Sequence, residues 1–187
     1  EAFLNEIRKD PNYAEQIVYV HETPAREAIY AEIDRNQVFS KNSVSEQNIE
    51  KILASINVER LYCHQAEAIR LASEGKDVLI ATGTASGKTL CCTLPIIAKL
   101  QVDPQAKALL LFPTKALCQD QFKNFSAFLE MAGLSDRLAG VFDGDTPGSL
   151  RRKLRDKASV VFSNPDMVHA SLMSQHSRWA EFLGQLK

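Results

Sequence analysis

The stretch Asp77-Val78-Leu79-Ile80-Ala81-Thr82-Gly83-Thr84-Ala85-Ser86-Gly87-Lys88-Thr89 decides the fold. An apolar run with the length of a buried strand leads into a loop of small residues, and Gly-Lys-Thr then opens a helical pattern. This is the layout of a phosphate-binding P-loop. Backbone N–H groups of Thr84, Ala85, Ser86, Gly87, Lys88 and Thr89 can converge on a polyphosphate, and the helix N-terminus adds partial positive charge. Lys88 has the reach for the β- and γ-phosphates, the Thr89 hydroxyl is placed for Mg²⁺, and Gly87 lets the backbone approach closely. Lys88 and Thr89 are therefore the candidate catalytic residues, with Thr89 the candidate metal ligand. The strict motif asks for glycine six residues before the lysine, where this chain has Thr82 with Gly83 one step later. The reading therefore rests on the strand before the loop and the helix after it.

Working outward, helices and apolar runs alternate. A helix starts near Ser45 and carries Ile49, Ile52, Leu53 and Ile56 on one stripe; another spans about 64–74 and stops at Gly75. Strand 77–81 precedes the loop, and helix 88–101 follows it with a bend expected at Pro95. Apolar runs at 108–112, 138–142 and 159–163 each end in a polar loop and then a helix start. Thr146 is expected as an N-cap with Pro147 in the first turn of a basic helix. Phe122, Phe125, Phe128 and Leu129 make a core stripe, and Trp179, Phe182 and Leu183 belong to the last helix. A short strand at 16–21 and a polar linker at 35–45 complete the reading. Alternation of this kind gives an α/β fold with a mainly parallel sheet covered by helices on both faces, whose ligands sit beyond the C-terminal strand ends.

Bulk properties narrow the functions. The 187 residues are 45% hydrophobic and 24% charged with a net charge of −1, so polyanion binding has to come from local sites rather than a basic face. No apolar run has transmembrane length and no signal peptide opens the chain, which argues against a membrane partner. Cys63, Cys91, Cys92 and Cys118 form no C-x-x-C pair and read as small core residues of a reducing compartment. His64, His169 and His176 lack metal-ligand spacing and read as surface or capping residues. Arg151, Arg152, Lys153, Arg155 and Lys157 read as a solvated helix face, since no aromatic residue interleaves them.

The neighbours of the loop identify the family. Tyr62-Cys63-His64-Gln65 places a glutamine 23 residues before Lys88, and Pro113 follows that lysine by 25. With Pro113-Thr114-Lys115-Ala116-Leu117 and Ser163-Asn164-Pro165-Asp166, the set resembles superfamily-2 helicases of the DEAD/DEAH-box type. Thr84-Ala85-Ser86-Gly87-Lys88-Thr89-Leu90, Asp143-Gly144-Asp145-Thr146 and Ser163-Asn164-Pro165-Asp166-Met167 resemble one branch, typified by the bacterial mitomycin-repair helicase MrfA and its eukaryotic repair relatives. The likeness covers about 61–187 well and 22–28 weakly.

That resemblance implies the N-terminal part of a first RecA-like domain over 43–187, preceded by an extension and linker at 1–42. It implies ATP and Mg²⁺ as cofactors, with Gln65 reading adenine through its amide and Tyr62 either stacking on the base or packing in the core. It implies a translocase on single-stranded DNA, or on duplex with a single-stranded tail, moving 3′ to 5′ in DNA repair. Thr114, Lys115, Gly144, Thr146, Ser163 and Asn164 would then touch the sugar–phosphate backbone, although Lys115 also suits a solvated helix start. Asp166 stands where DEAD-box proteins carry arginine, so that phosphate contact does not transfer. The bacterial cytoplasm is the expected location, or the nucleus for a eukaryotic relative.

The family's acidic Walker B pair is expected next in sequence, yet the chain holds no Asp-Glu dipeptide and reaches Lys187 where that strand should begin. The sheet is accordingly expected to be incomplete at the C-terminus, with unpaired backbone beside the P-loop strand, and the chain to bind nucleotide weakly without turnover. Two other readings stand beside this one. A P-loop small-molecule or nucleotide kinase would need acceptor-binding arginines and a lid, and gives no reason for Gln65 or Pro113-Thr114-Lys115. A non-enzymatic nucleic-acid-binding module would carry the loop as a vestige.

Overall fold

Three of the apolar runs become strands: β1 (Ala108–Leu111), β2 (Ala139–Val141) and β3 (Val160–Ser163). They form one sheet of order β1-β3-β2, parallel throughout. Ala108 pairs with Val160 and Leu111 with Ser163 on one side of β3, and Ala139 with Val160 and Val141 with Phe162 on the other. The computed structural model describes residues 2–12, 27–30 and 46–187. The strand expected at 16–21 and the linker at 35–45 fall outside the described residues.

The helices are α1 (Ala2–Lys9), α2 (Glu46–Ser55), α3 (Cys63–Ser73), α4 (Lys88–Val102), α5 (Lys115–Met131), α6 (Gly148–Lys157), α7 (Pro165–Met167) and α8 (His176–Gly184). A π-helical turn, Val168–Met173, continues α7, and α4 runs on through Pro95. Two-residue alternation splits the sheet's side chains between two layers. Val160 and Phe162 face α2 to α5, where Ile52, Leu94, Ile97 and Phe125 are buried. Val161 faces α6, the π-helical turn and α8, where Leu154, Leu172, Trp179 and Phe182 are buried. Helices therefore cover both faces, as the alternation predicts.

Aromatic contacts anchor each layer. Phe162 lies parallel to Phe112 at 5.9 Å and meets Phe122 and Phe125 edge-on at 5.6 and 5.3 Å. Trp179 meets Phe142 and Phe182 nearly perpendicularly at 5.0 and 5.5 Å. These offset and T-shaped pairs suit the ring quadrupoles.

Several expectations need correction. Residues 77–81 have strand composition but join no ladder, because none of the strands of the described residues lies beside them; Leu79 is 94% exposed. An apolar run becomes a strand only where a neighbour takes its N–H and C=O groups. Ile56 falls off the α2 stripe because the helix stops first. Asn57 turns left-handed at φ 55°, and the N–H groups of Asn57 and Val58 close on Ala54 and Leu53, leaving Ile56 exposed. Cys91 and Cys118 are core residues, whereas Cys63 and Cys92 are exposed. Burial pushes both core thiols up to about 11, so they stay protonated at neutral pH.

Gly140 in β2 marks a close approach, since a Cβ there would lie 2.5 Å from Cδ2 of the fully buried Leu154. Leu154→Ala should lower unfolding free energy by about 2–5 kcal/mol, and Gly140→Ala by about 1–3 kcal/mol through overpacking. In the double variant the new methyl occupies the vacated space, so the loss should fall clearly below the sum. Urea unfolding of the four proteins checks this, and strict additivity would show that the two sites do not share that space.

Candidate functional site

The loop from Thr82 to Gly87 starts on unpaired backbone and ends at α4, so it has to be shaped by contacts outside the sheet. Two of its residues adopt left-handed backbone, Ala85 at φ 58° and Gly87 at φ 73°. For Gly87 this conformation is unstrained, and a side chain there would press on Gln65 Nε2. For Ala85 it is strained.

The start of α3 holds the loop from behind. Gln65 is 2% exposed and uses both ends of its amide: Oε1 accepts from the Tyr62 N–H at 2.9 Å, and Nε2 donates to the Gly87 carbonyl at 3.0 Å. His64 Nε2 lies 2.9 Å from the Ser86 carbonyl. A carbonyl only accepts, so that ring nitrogen carries the hydrogen. Tyr62 stacks on His64 at 5.7 Å and on Tyr30 at 5.1 Å. A cavity of about 900 Å³ opens beside these groups, lined by Tyr30, Arg60, Tyr62, Gln65, Ala85 and Thr89 among others.

The donors of the site are free. Among the described residues the N–H groups of Gly87, Lys88 and Thr89 meet no acceptor, and neither does the Thr89 hydroxyl. A left-handed residue followed by a right-handed one turns three successive N–H groups toward one concavity, a nest for an anion. Lys88 curls onto the loop's own carbonyls, donating to Thr82 O at 2.9 Å and to Gly83 O. A polyphosphate fits this donor set, with Lys88 exchanging carbonyl oxygens for phosphate oxygens and Thr89 able to ligate Mg²⁺.

A second group of residues lies where β1, β2 and β3 end, at one edge because the strands are parallel. Thr114 caps α5, its hydroxyl accepting from Leu117 N–H at 3.3 Å. Lys115 pairs with Asp145 at 2.7 Å on the surface; the pair raises the lysine's affinity for its proton and holds Asp145 below the usual carboxylate range. Ser163 is fully buried and donates to Phe142 O at 2.7 Å, and Asn164 caps α7 by accepting from Met167 N–H at 2.9 Å.

Thr146 is not the N-cap expected of it. The helix α6 begins at Gly148 with Pro147 at the cap position, and the Thr146 hydroxyl accepts from Asp143 N–H at 2.9 Å while facing Val141 O and Asp143 Oδ1. The tight turn recruits it first. Arg151 donates to the carbonyls of Asp143, Gly144 and Thr146 and lies over the Phe142 ring at 5.6 Å. It is a loop brace, whereas Arg152, Lys153 and Lys157 are the exposed face that the pattern predicts.

The structure thus brings Tyr62, Gln65, Gly87, Lys88 and Thr89 around one loop, and Thr114, Lys115, Gly144, Thr146, Ser163 and Asn164 along one edge. Sequence reasoning missed His64 and Arg151. Their partners are backbone carbonyls, which no residue type announces: consecutive residues 64 and 65 contact the carbonyls of consecutive residues 86 and 87.

The family model for DEAD/DEAH box helicases matches residues 62–187. The ATP-dependent helicase hrq1 of Schizosaccharomyces pombe is 38% identical over 190 residues, 100% of this chain and 17% of that protein. The ATP-dependent helicase YprA of Bacillus subtilis is 33% identical over 98% of this chain and 23% of its own length. The DUF1998 helicase MrfA, solved bound to DNA and AMPPNP, has a TM-score of 0.77 and 35% identity over 89% of this chain and 22% of that one. The chain spans less than a quarter of each of these proteins.

The two left-handed residues give opposite expectations. Gly87→Ala should destabilise by about 1–2 kcal/mol from φ alone and weaken the Gln65 contact. Ala85→Gly should raise stability by up to about 1 kcal/mol, the relief of strain less glycine's extra unfolded-chain entropy. Urea unfolding of both variants reads the signs, and a destabilised Ala85→Gly would show that position 85 carries no strain.

Proposed function

The chain belongs to the DEAD/DEAH box helicase family, and from that premise we propose that it is the ATP-binding part of a motor. The motor moves 3′ to 5′ on single-stranded DNA and opens duplex during repair. The observation that carries this reading is the set of unpaired N–H groups at Gly87, Lys88 and Thr89 beside a lysine that can turn to meet phosphate. Bound ATP with Mg²⁺ supplies the free energy of phosphoanhydride cleavage. The chain's own residues do the holding: the three amides and Lys88 receive the phosphates, Thr89 orients the metal, and Gln65 and Tyr62 border the base cavity. The MrfA structure with DNA and AMPPNP supports both partners.

On the DNA side, the hydroxyls of Ser163 and Thr146 are committed to internal bonds, so they act by shaping their loops. Contact with the strand then falls to Lys115, to backbone amides and to the exposed part of the edge. Such contacts grip phosphates without reading bases, which suits a motor that must step over any sequence. The Lys115–Asp145 pair is solvent-screened, so a DNA phosphate can take the place of Asp145 easily.

Turnover needs a carboxylate that orients water and metal, and the 187 residues contain no Asp-Glu pair. The chain is therefore proposed to bind nucleotide without repeated hydrolysis. The full-length parent protein should show DNA-stimulated ATPase that Lys88→Ala abolishes. ATPase indifferent to DNA would favour a kinase, and DNA binding without ATPase a vestigial loop. In anisotropy titrations of a labelled single-stranded oligonucleotide against salt, Lys115→Ala should weaken binding and lower the log–log slope by about one. Asp145→Asn, which frees Lys115, should tighten binding; an unchanged affinity in both variants would remove Lys115 from the DNA track.

A further inference from the structure

We infer that His64 is a positioning residue for the phosphate loop, fixing the direction in which the Gly87 amide presents its hydrogen. The inference rests on the nucleotide reading of that loop. In a trans peptide the carbonyl of one residue points opposite to the N–H of the next, and none of the described peptide bonds is cis. Anchoring the Ser86 carbonyl toward α3 therefore turns the Gly87 N–H away from α3. Anchoring the Gly87 carbonyl does the same for the Lys88 N–H. Two consecutive side chains thus set two consecutive peptide planes.

The two anchors differ in redundancy. The Gly87 carbonyl accepts from Gln65 Nε2 at 3.0 Å and also from the Leu90 N–H at 3.2 Å. Among the described residues the Ser86 carbonyl has His64 as its donor and no second one. Removing Gln65's donor leaves the plane after Gly87 held by α4. Removing His64's leaves the plane before Gly87 unheld, in a loop that joins no sheet and whose next residue, a glycine, can rotate freely. The ring is itself held in place, stacked at 13° to Tyr62, which stacks on Tyr30. A preorganised donor matters most at phosphate, where a misdirected N–H would present the carbonyl's negative end to an anion.

Two variants separate the donor from the ring. His64→Phe keeps a stacking ring without an N–H, and His64→Gln keeps a donor the same number of bonds from the backbone without a ring. Each is titrated, alongside wild type, with ADP, with ATP and with adenosine, and its fold is checked by circular dichroism. His64→Phe should weaken ADP and ATP about ten-fold, the value of one well-placed hydrogen bond, and leave adenosine unchanged. His64→Gln should stay within about two-fold of wild type for all three. Equal losses in both variants, equal losses for adenosine and ADP, or an unaffected His64→Phe would each overturn the assignment. A wild-type chain that binds adenosine and ADP alike would instead overturn the phosphate reading on which it stands.

Discussion

The central strand β3 pairs with β1 along all four of its residues and with β2 from Val160 to Phe162, and all four residues are buried. Everything else is placed relative to it. No water reaches its N–H and C=O groups, so only the ladders with β1 and β2 can satisfy them, and those ladders fix the register of both neighbours. Because residues alternate across it, Val160 and Phe162 serve one core and Val161 the other. A one-residue slip would exchange the two cores, an error neither layer of helices could absorb. The parallel arrangement then has a functional consequence. It sends the loops after all three strands to a single edge, and the Ser163 hydroxyl ties the end of β3 to the end of β2 through Phe142.

At that edge most polar side chains are spent on the scaffold. Thr146, Asp143 and Arg151 satisfy one another's loop, Asn164 and Thr114 cap helices, and Ser163 is sealed inside. What the edge offers outward is the Lys115–Asp145 pair and backbone. The same division holds at the P-loop, where side chains occupy the carbonyl side and leave the N–H side open. Dipoles fixed in advance in this way suit an anion, because little reorganisation is needed to receive one.

Much of this was legible in sequence. The runs 108–112, 138–142 and 159–163 are apolar, bounded by polar turns and followed by helix starts, and each formed a parallel strand near its expected limits. The run 77–81 has the same signature and formed none, because composition reports what a segment can bury and says nothing of which strands stand beside it. Single residues were misread where two local motifs competed. Thr146 could cap a helix or close the Asp143 turn, and the turn took its hydroxyl. Ile56 kept the helical period past the point where Asn57 ended the helix. Arg151 and His64 were misread for a different reason: their partners are backbone carbonyls, which leave no trace in the amino-acid alphabet.

The carbonyl anchors also bear on how the two ends of the proposed nucleotide site communicate. Tyr62 and Gln65 border the cavity beside the loop, and His64 and Gln65 hold the loop's carbonyls, so residues of one helical turn touch both. Gln65 Oε1 is tied to the Tyr62 N–H while its Nε2 is tied to Gly87, which leaves the amide one orientation. A shift of the Tyr62 ring would move the stacked His64 ring, and with it the plane that aims the Gly87 amide. Coupling of this kind needs no long pathway, only a rigid helix start whose consecutive side chains serve different parts of one ligand. It also accounts for a strained Ala85 persisting in an exposed loop. With Ser86 and Gly87 held from behind and α4 fixed in the core, the backbone between Gly83 and Ser86 has few ways to close, and one of them passes through φ 58°.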